Sequence, residues 1–243
     1  MISTEPFFEV MLTNDKGFGT FAARDIPRGT RVIEEVPLLV VSSCDSDDLD
    51  LSEFETALRA LTPEQHGKFS ALYRDHDDPV ARRIVNEQAQ VLKSSQSAEI
   101  IDALAIFLAN NVAMGKGGSG VFEHYSRINH DCNPNVNNVW NSTIEKLTVH
   151  AVRQINKGEE ITTSYVDSTC RTRQQRQKEL DNWDFVCSCK CCTGPNATAS
   201  ERRRKRMFTM DQELESYASV SSGSSVPRNA QAALSVAEDL LEL

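Results

Sequence analysis

Asn129-His130-Asp131-Cys132-Asn133-Pro134-Asn135, taken together with Cys187-Ser188-Cys189-Lys190-Cys191-Cys192, decides how the rest of the chain reads. The second stretch contains a C-x-C-x-x-C knuckle with three thiols, one short of a tetrahedral zinc site. Cys132 offers the fourth from far upstream. Four thiolates leave a zinc ion no open position, so such a metal is structural, not catalytic. It would pin the C-terminal segment onto the Asn-His segment. A second reading uses the same sulfur: Cys132 and His130 as a nucleophile and its base. The knuckle's need for a fourth ligand favours zinc.

The bulk numbers narrow the setting. The chain has 243 residues, 40% of them hydrophobic, which suits one large domain or a core with a smaller appendage. The net charge of −9 argues against a general nucleic-acid surface and suits a basic protein or peptide partner. No run of 18 apolar residues and no charged-then-apolar leader is present, so neither a membrane span nor a secretory signal is indicated. The cysteines number seven, an odd count, with four inside six residues. That argues for reduced thiols and a metal in a nuclear or cytoplasmic protein rather than for a secreted disulfide framework.

Outward from the motif, residues 1–44 read as β structure. Phe8–Leu12 and Thr20–Ala23 are strands about a Gly-rich turn at Asn14–Gly19. Arg31–Val41 is strand-like and interrupted by Pro37. Residues 45–115 change to helical patterning. Asp47–Asp50 is a candidate helix start, and Thr62-Pro63-Glu64 is an N-cap with Pro at the first helical position. Ala98–Val112 places apolar residues at 100, 101, 104, 107 and 108, one helix face. Gly115–Gly120 reads as a mobile loop. It is not a phosphate loop, which would need Gly at 110 and Ser or Thr at 117, where Asn110 and Gly117 stand. Residues 116–186 return to β structure: Asn137–Asn141, Leu147–Val152, and Ile161–Tyr165 after a Gly-Glu-Glu turn. A charged helix over 171–182 leads to the knuckle, 187–194. Residues 195–243 hold a basic run, Arg202–Arg206, read as a solvated helix face. They also hold a Ser/Gly linker over 219–225 and an amphipathic helix over 230–243 that stops without a C-cap, as in a fragment of a longer protein.

Several residues carry chemistry. An Asn129 amide and a His130 imidazole, fixed beside a metal-clamped loop, hydrogen-bond a polar ligand; their bland alternative is a satisfied core pair. Gly17-Phe18-Gly19 lets the backbone approach a ligand. Tyr165 closes a strand with a hydroxyl, Phe185 is a platform for a flat ring, and Trp183 shares that ambiguity with simple core packing.

In this order and spacing the pieces resemble a SET-domain protein lysine methyltransferase, closest to the SET–MYND branch and its fungal relatives. The matching stretches are Lys16–Ala22, Arg127–Asn135, Gly158–Tyr165 and Phe185–Cys192, and together they span about residues 7 to 193. No MYND finger is visible. The resemblance implies an α+β, mainly β, pseudoknotted SET fold. Its accessories are a helical insertion, a post-SET zinc knuckle and a helical C-terminal tail. It implies S-adenosyl-L-methionine held by Lys16, Gly17, Phe18, Gly19, Asn110, Asn129 and His130, with Phe185 stacked on adenine. Tyr165 would be the catalytic residue, also lining the cofactor, and Trp183 would line the substrate channel. Cys132, Cys187, Cys189 and Cys192 would hold Zn2+, with Cys191 a bystander. The implied substrate is a lysine in a histone or another protein, with no direct nucleic acid, no membrane and no defined oligomeric state. Two departures stand out. Asp131 replaces the usual Ser, and Trp183 stands where the SET–MYND branch commonly has Tyr. They leave open a non-catalytic, zinc-stabilised interaction scaffold beside the enzyme.

Overall fold

Pro37 divides the third β segment, because a residue without an amide hydrogen cannot donate to a ladder. Arg31–Glu35 (β3) and Leu39–Val41 (β4) accordingly join different sheets. The structure, a computed structural model, describes residues 6–42, 49–75, 78–88, 97–183, 185–219 and 230–241. It divides into two units. The first is Met1–His130 with Pro134–Thr163; the second is Asp131–Asn133 with Ser164–Leu243.

The first unit carries three small sheets. Phe8–Leu12 (β1), Phe18–Ala22 (β2), Glu160–Thr163 (β10) and Asn129–His130 (β7) form one, in the order β1-β2-β10-β7. Lys146–Ala151 (β9) lies between β3 and Val136–Asn141 (β8) in the second. Ser119–Val121 (β6) lies between β4 and Asn111–Ala113 (β5) in the third. Their inward faces close on Ile26, Phe122, Ile128, Leu147, Val149 and Ile161, all essentially buried.

Among the described residues four helices fill the insertion: Leu51–Arg59 (α1), Pro63–Ser70 (α2), Pro79–Glu87 (α3) and Ser97–Asn110 (α4). Local chemistry starts them. Asp50 and Asp78 cap α1 and α3 by accepting from backbone amides. Thr62 and Gln65 make a reciprocal capping box ahead of α2, with Pro63 at its first position. The centre of α4, Ala103 to Phe107, is buried throughout, as expected of a helix surrounded by others and by a sheet. Phe54, Phe69, Ile84 and Leu104 pack there with Leu39, Val41 and Val121 from the third sheet.

Gly115–Gly120 departs from the loop expectation. Gly115–Gly117 is a short 3-10 turn and Ser119–Val121 is the central strand of a sheet. Gly118, at φ +84°, turns one into the other, and a Cβ there would lie 2.0 Å from the Val41 carbonyl oxygen. Gly118 thus serves close backbone approach, not mobility. The last β strand also ends earlier than expected, at Thr163, so Tyr165 lies beyond it.

The second unit is helical: Arg173–Leu180 (α5), a 3-10 turn at Asp181–Trp183, Lys190–Thr193 (α6), Ala197–Ser219 (α7) and Ala230–Leu241 (α8). The weakly patterned stretch after Pro195 therefore contains one long helix, Ala197–Ser219. The basic run lies on it, with Arg202, Arg203, Lys205 and Arg206 exposed or partly exposed as read. Arg204 turns inward and donates to the Ser168 carbonyl at 2.6 Å and the Cys132 carbonyl at 2.7 Å. Of the helix start proposed at Asp47–Asp50, residues 47 and 48 lie outside the described residues, as do linker positions 220–225 and residues 226–229 and 242–243; Ser219, the first linker position, ends α7. Among the described residues no helix is long and apolar enough to cross a membrane.

Candidate functional site

In the first unit, Lys16, Phe18, Gly19, Asn129 and Glu160 converge. Antiparallel β2 and parallel β7 flank β10, with Thr162 opposite Asn129 and Thr163 opposite His130. The Asn129 amide donates to Glu160 Oε1 at 2.9 Å and to the Phe18 carbonyl at 3.3 Å. Lys16 Nζ lies 3.1 Å from Glu160 Oε2. Gly19 is required by proximity. A Cβ on it would meet Asn129 Nδ2 at 2.8 Å, Thr13 Cγ2 at 2.9 Å and Glu160 Oε1 at 3.2 Å. His130 is buried on the same short strand. Asn110, also buried, ends α4 and spends its amide hydrogens on the Tyr73 and Ile106 carbonyls, each at 2.7 Å. Its Oδ1 remains as an acceptor.

Two further residues build this region without having been singled out in the sequence. Glu160 orients the Asn129 amide from the neighbouring strand. Asn135, 1% exposed, works as a side-chain strand: its Oδ1 accepts from the Thr162 amide and its Nδ2 donates to the Glu160 carbonyl, both at 2.8 Å. Its backbone amide donates to the Thr162 carbonyl at 3.1 Å. Asn135 therefore holds β10 in place, and β10 holds Asn129. Tyr125 adds a buried hydroxyl that donates to Asn138 Oδ1 at 2.9 Å, and burial pushes its ionisation above the usual phenol range.

In the second unit, the sulfurs of Cys132, Cys187, Cys189 and Cys192 all lie within 4.8 Å of one another. Cys132 Sγ is 3.8 Å from Cys187 Sγ and 3.7 Å from Cys192 Sγ. A zinc tetrahedron with bonds of about 2.3 Å has sulfur–sulfur edges of about 3.8 Å, whereas a disulfide needs about 2.05 Å. The donor set therefore fits a tetrahedral soft cation. The thiols divide their protons unequally. Hydrogen bonds from the Cys132 and Cys187 thiols, then from Arg176, bring Cys192 down to about 6. Donation to Cys187, then to the other two sulfurs, pushes Cys132 up. Protons confined among four sulfurs are what a metal displaces on binding.

Local bonds shape this knuckle. The Gln177 side chain on α5 accepts from the Cys187 amide at 3.0 Å and donates to the Phe185 carbonyl at 2.8 Å. Arg176, one helical position earlier, is 1% exposed and donates from Nε to Cys132 Sγ at 3.0 Å. Tyr165, Trp183 and Phe185 pack beside the sulfurs and Leu180. The Tyr165 ring centroid is 5.4 Å from that of Trp183, and 6.4 Å and edge-on from that of Phe185. Cys191 groups instead with Asp131 and Cys189. Cys132 itself is only 1% exposed and enclosed among the other sulfurs, out of reach of a substrate, which is a poor setting for a hydrolytic nucleophile.

The sequence profile of the SET domain matches residues 17–166. The Schizosaccharomyces pombe histone-lysine N-methyltransferase set5 is 32% identical over 211 residues, which cover 85% of this chain and 58% of that protein. The Homo sapiens histone-lysine N-methyltransferase SMYD3 is 32% identical over 121 residues, 48% of this chain and 26% of that protein. The Danio rerio N-lysine methyltransferase SMYD2-A is 32% identical over 98 residues, 40% of this chain and 22% of that protein. The chain thus spans less than two thirds of the length of each of these three relatives.

Proposed function

This chain belongs to the SET-domain family, and from that premise we propose that it is an S-adenosylmethionine-dependent protein lysine N-methyltransferase acting on a histone or another protein, in the nucleus or cytoplasm. The observation that carries the reading is the convergence of Lys16, Gly19, Asn129 and Glu160, with Gly19 bare of the Cβ that would collide with the Asn129 amide. Lys16, Gly19 and Asn129 are positions at which the family resemblance expects the cofactor, and Glu160 orients two of them.

Bound S-adenosylmethionine supplies an electrophilic methyl group on a sulfonium. Backbone groups of Gly17, Phe18 and Gly19 would line it, with Lys16 alongside. Asn129 and His130 would hold its amino acid and adenine portions, Asn110 would offer its carbonyl oxygen, and the resemblance implies that Phe185 would stack on the adenine. The substrate amine must arrive unprotonated, although free lysine has a pKa of about 10.4. A narrow channel that excludes water disfavours the ammonium form. Trp183 supplies apolar wall, and the Tyr165 hydroxyl orients the amine for in-line attack. Cys132, Cys187, Cys189 and Cys192 would hold a structural Zn2+ as four thiolates. Such an ion would have no open coordination position for the transfer, and its ligands would fix the chain around Phe185.

Trp183 favours a second reading. It brings no hydroxyl to the cluster around Tyr165, and a member of this fold without turnover would be a zinc-stabilised interaction scaffold. Calorimetric titration of the zinc-loaded protein with S-adenosylmethionine separates the two. Saturable binding that disappears in Asn129→Ala supports the enzyme. Absence of binding by folded, zinc-loaded protein supports the scaffold.

A further inference from the structure

Arg176 is the largest side chain among those fully buried, and its surroundings are unusual for a guanidinium. Its Nη1 donates to the Arg171 carbonyl at 2.6 Å. Its other two donating groups meet sulfur: Nε to Cys132 Sγ at 3.0 Å and Nη2 to Cys192 Sγ at 3.5 Å. Among the described residues its side-chain bonds go to those two sulfurs and that carbonyl, and no carboxylate is in ion-pair contact with it. A guanidinium stays protonated in a protein, and a buried cation without an anion is strongly unfavourable. A metal–thiolate centre would supply that anion. A divalent cation with four thiolates carries a net charge of about −2, and a single buried Arg offsets half of it. Cys187 and Cys189 receive no hydrogen bond from Arg176.

We propose that Arg176 is the outer-sphere counter-cation of the metal–thiolate centre. Its planar fork donates to Cys132 and Cys192, slows escape of the metal and shields those two sulfurs from electrophiles. The inference rests on the four-thiol metal assignment above. It extends that assignment from the ligands to the group that balances their charge, since partners behind the ligands commonly govern metal retention as much as ligand identity does.

The test compares zinc-loaded full chain as wild type, Arg176→Lys and Arg176→Met. Metal content of the wild type comes first: protein without stoichiometric zinc overturns the metal assignment and this inference with it. With zinc present, release to a chromogenic chelator should be about 10–100-fold faster in Arg176→Met, the usual effect of losing such a partner. Arg176→Lys should fall between, because it keeps the charge and loses the fork. Alkylation by iodoacetamide in excess zinc, read residue by residue by mass spectrometry, should rise at Cys132 and Cys192 relative to Cys187. Equal release rates overturn the inference while leaving the metal assignment standing. So does alkylation that rises uniformly across the four cysteines, which marks simple loosening. Should Arg176→Met fail to fold, Arg176→Lys decides alone: release indistinguishable from wild type overturns the inference.

Discussion

Replacing Asn135 by Asp changes one side-chain atom and should unsettle the whole β10 strand. The amide makes two bonds of 2.8 Å, accepting from Thr162 and donating to the Glu160 carbonyl. A carboxylate keeps the first and loses the second. It places a negative oxygen against the Glu160 carbonyl, with Glu159 Oε1 at 3.4 Å from the same atom. Arg153 is already engaged with Glu159 at 2.6 Å, so it offers little relief. Leaving a buried carbonyl without its donor costs about 1–3 kcal/mol. Adding an uncompensated buried charge brings the total to about 3–5 kcal/mol at neutral pH, a large part of the 5–15 kcal/mol that holds a typical domain together. The penalty should shrink in acid. Burial and neighbouring oxygens raise the folded-state pKa of the new carboxyl above its unfolded value of about 3.9. As pH falls through the folded-state value the group protonates and regains a donor. The variant then recovers stability relative to wild type, by about 1.4 kcal/mol for every pH unit that separates the folded and unfolded values. Urea unfolding of both proteins at pH 7.5 and 5.5 measures this. A difference under about 1 kcal/mol at both, or one that does not narrow at the lower pH, would refute the role assigned to Asn135.

Gly118→Ala should destabilise the protein by at least about 1–3 kcal/mol from backbone strain alone, since φ is +84° and the Cβ meets the Val41 oxygen at 2.0 Å; a wild-type urea midpoint would show that the turn adapts freely. Cys187→Ser should abolish zinc binding and speed amide exchange over residues 185–193, and unchanged zinc content would sink the four-thiol assignment. Tyr165→Phe should slow methyl transfer about 10-fold or more, the worth of one hydrogen bond to the reacting amine, with S-adenosylmethionine affinity nearly unchanged; equal turnover removes Tyr165 from the mechanism.

What local chemistry specifies was legible in the sequence. Thr62-Pro63 announces a helix start, Pro37 announces a broken strand, and the cysteine spacing announces a cluster of sulfurs. What depends on distant partners was not. Four glycines in Gly115–Gly120 look like a loop because nothing nearby shows that β4 and β5 will lie on either side of β6. Alternation through Ile161–Tyr165 could not reveal that strand pairing stops at Thr163. Glu160 and Asn135 sit inside recognised motifs, yet their task is to bond each other across 25 residues of chain. Arg176 left one trace: it lies four residues before Leu180 on a helix otherwise rich in Gln and charge, hence on the same inward face. The sulfur it meets is 44 residues away.

That separation in sequence has a thermodynamic meaning. The contact of Cys132 with Cys187 closes a loop of 55 residues, and its contact with Cys192 one of 60. By the polymer estimate used for covalent cross-links, tying off a loop of this length removes about 4 kcal/mol of unfolded-chain freedom. A bound metal would thus give the chain the constraint of a long-range disulfide without any oxidation. The constraint can be withdrawn by a chelator and restored by the ion, so metal supply would set how much of the second unit is folded at a given temperature.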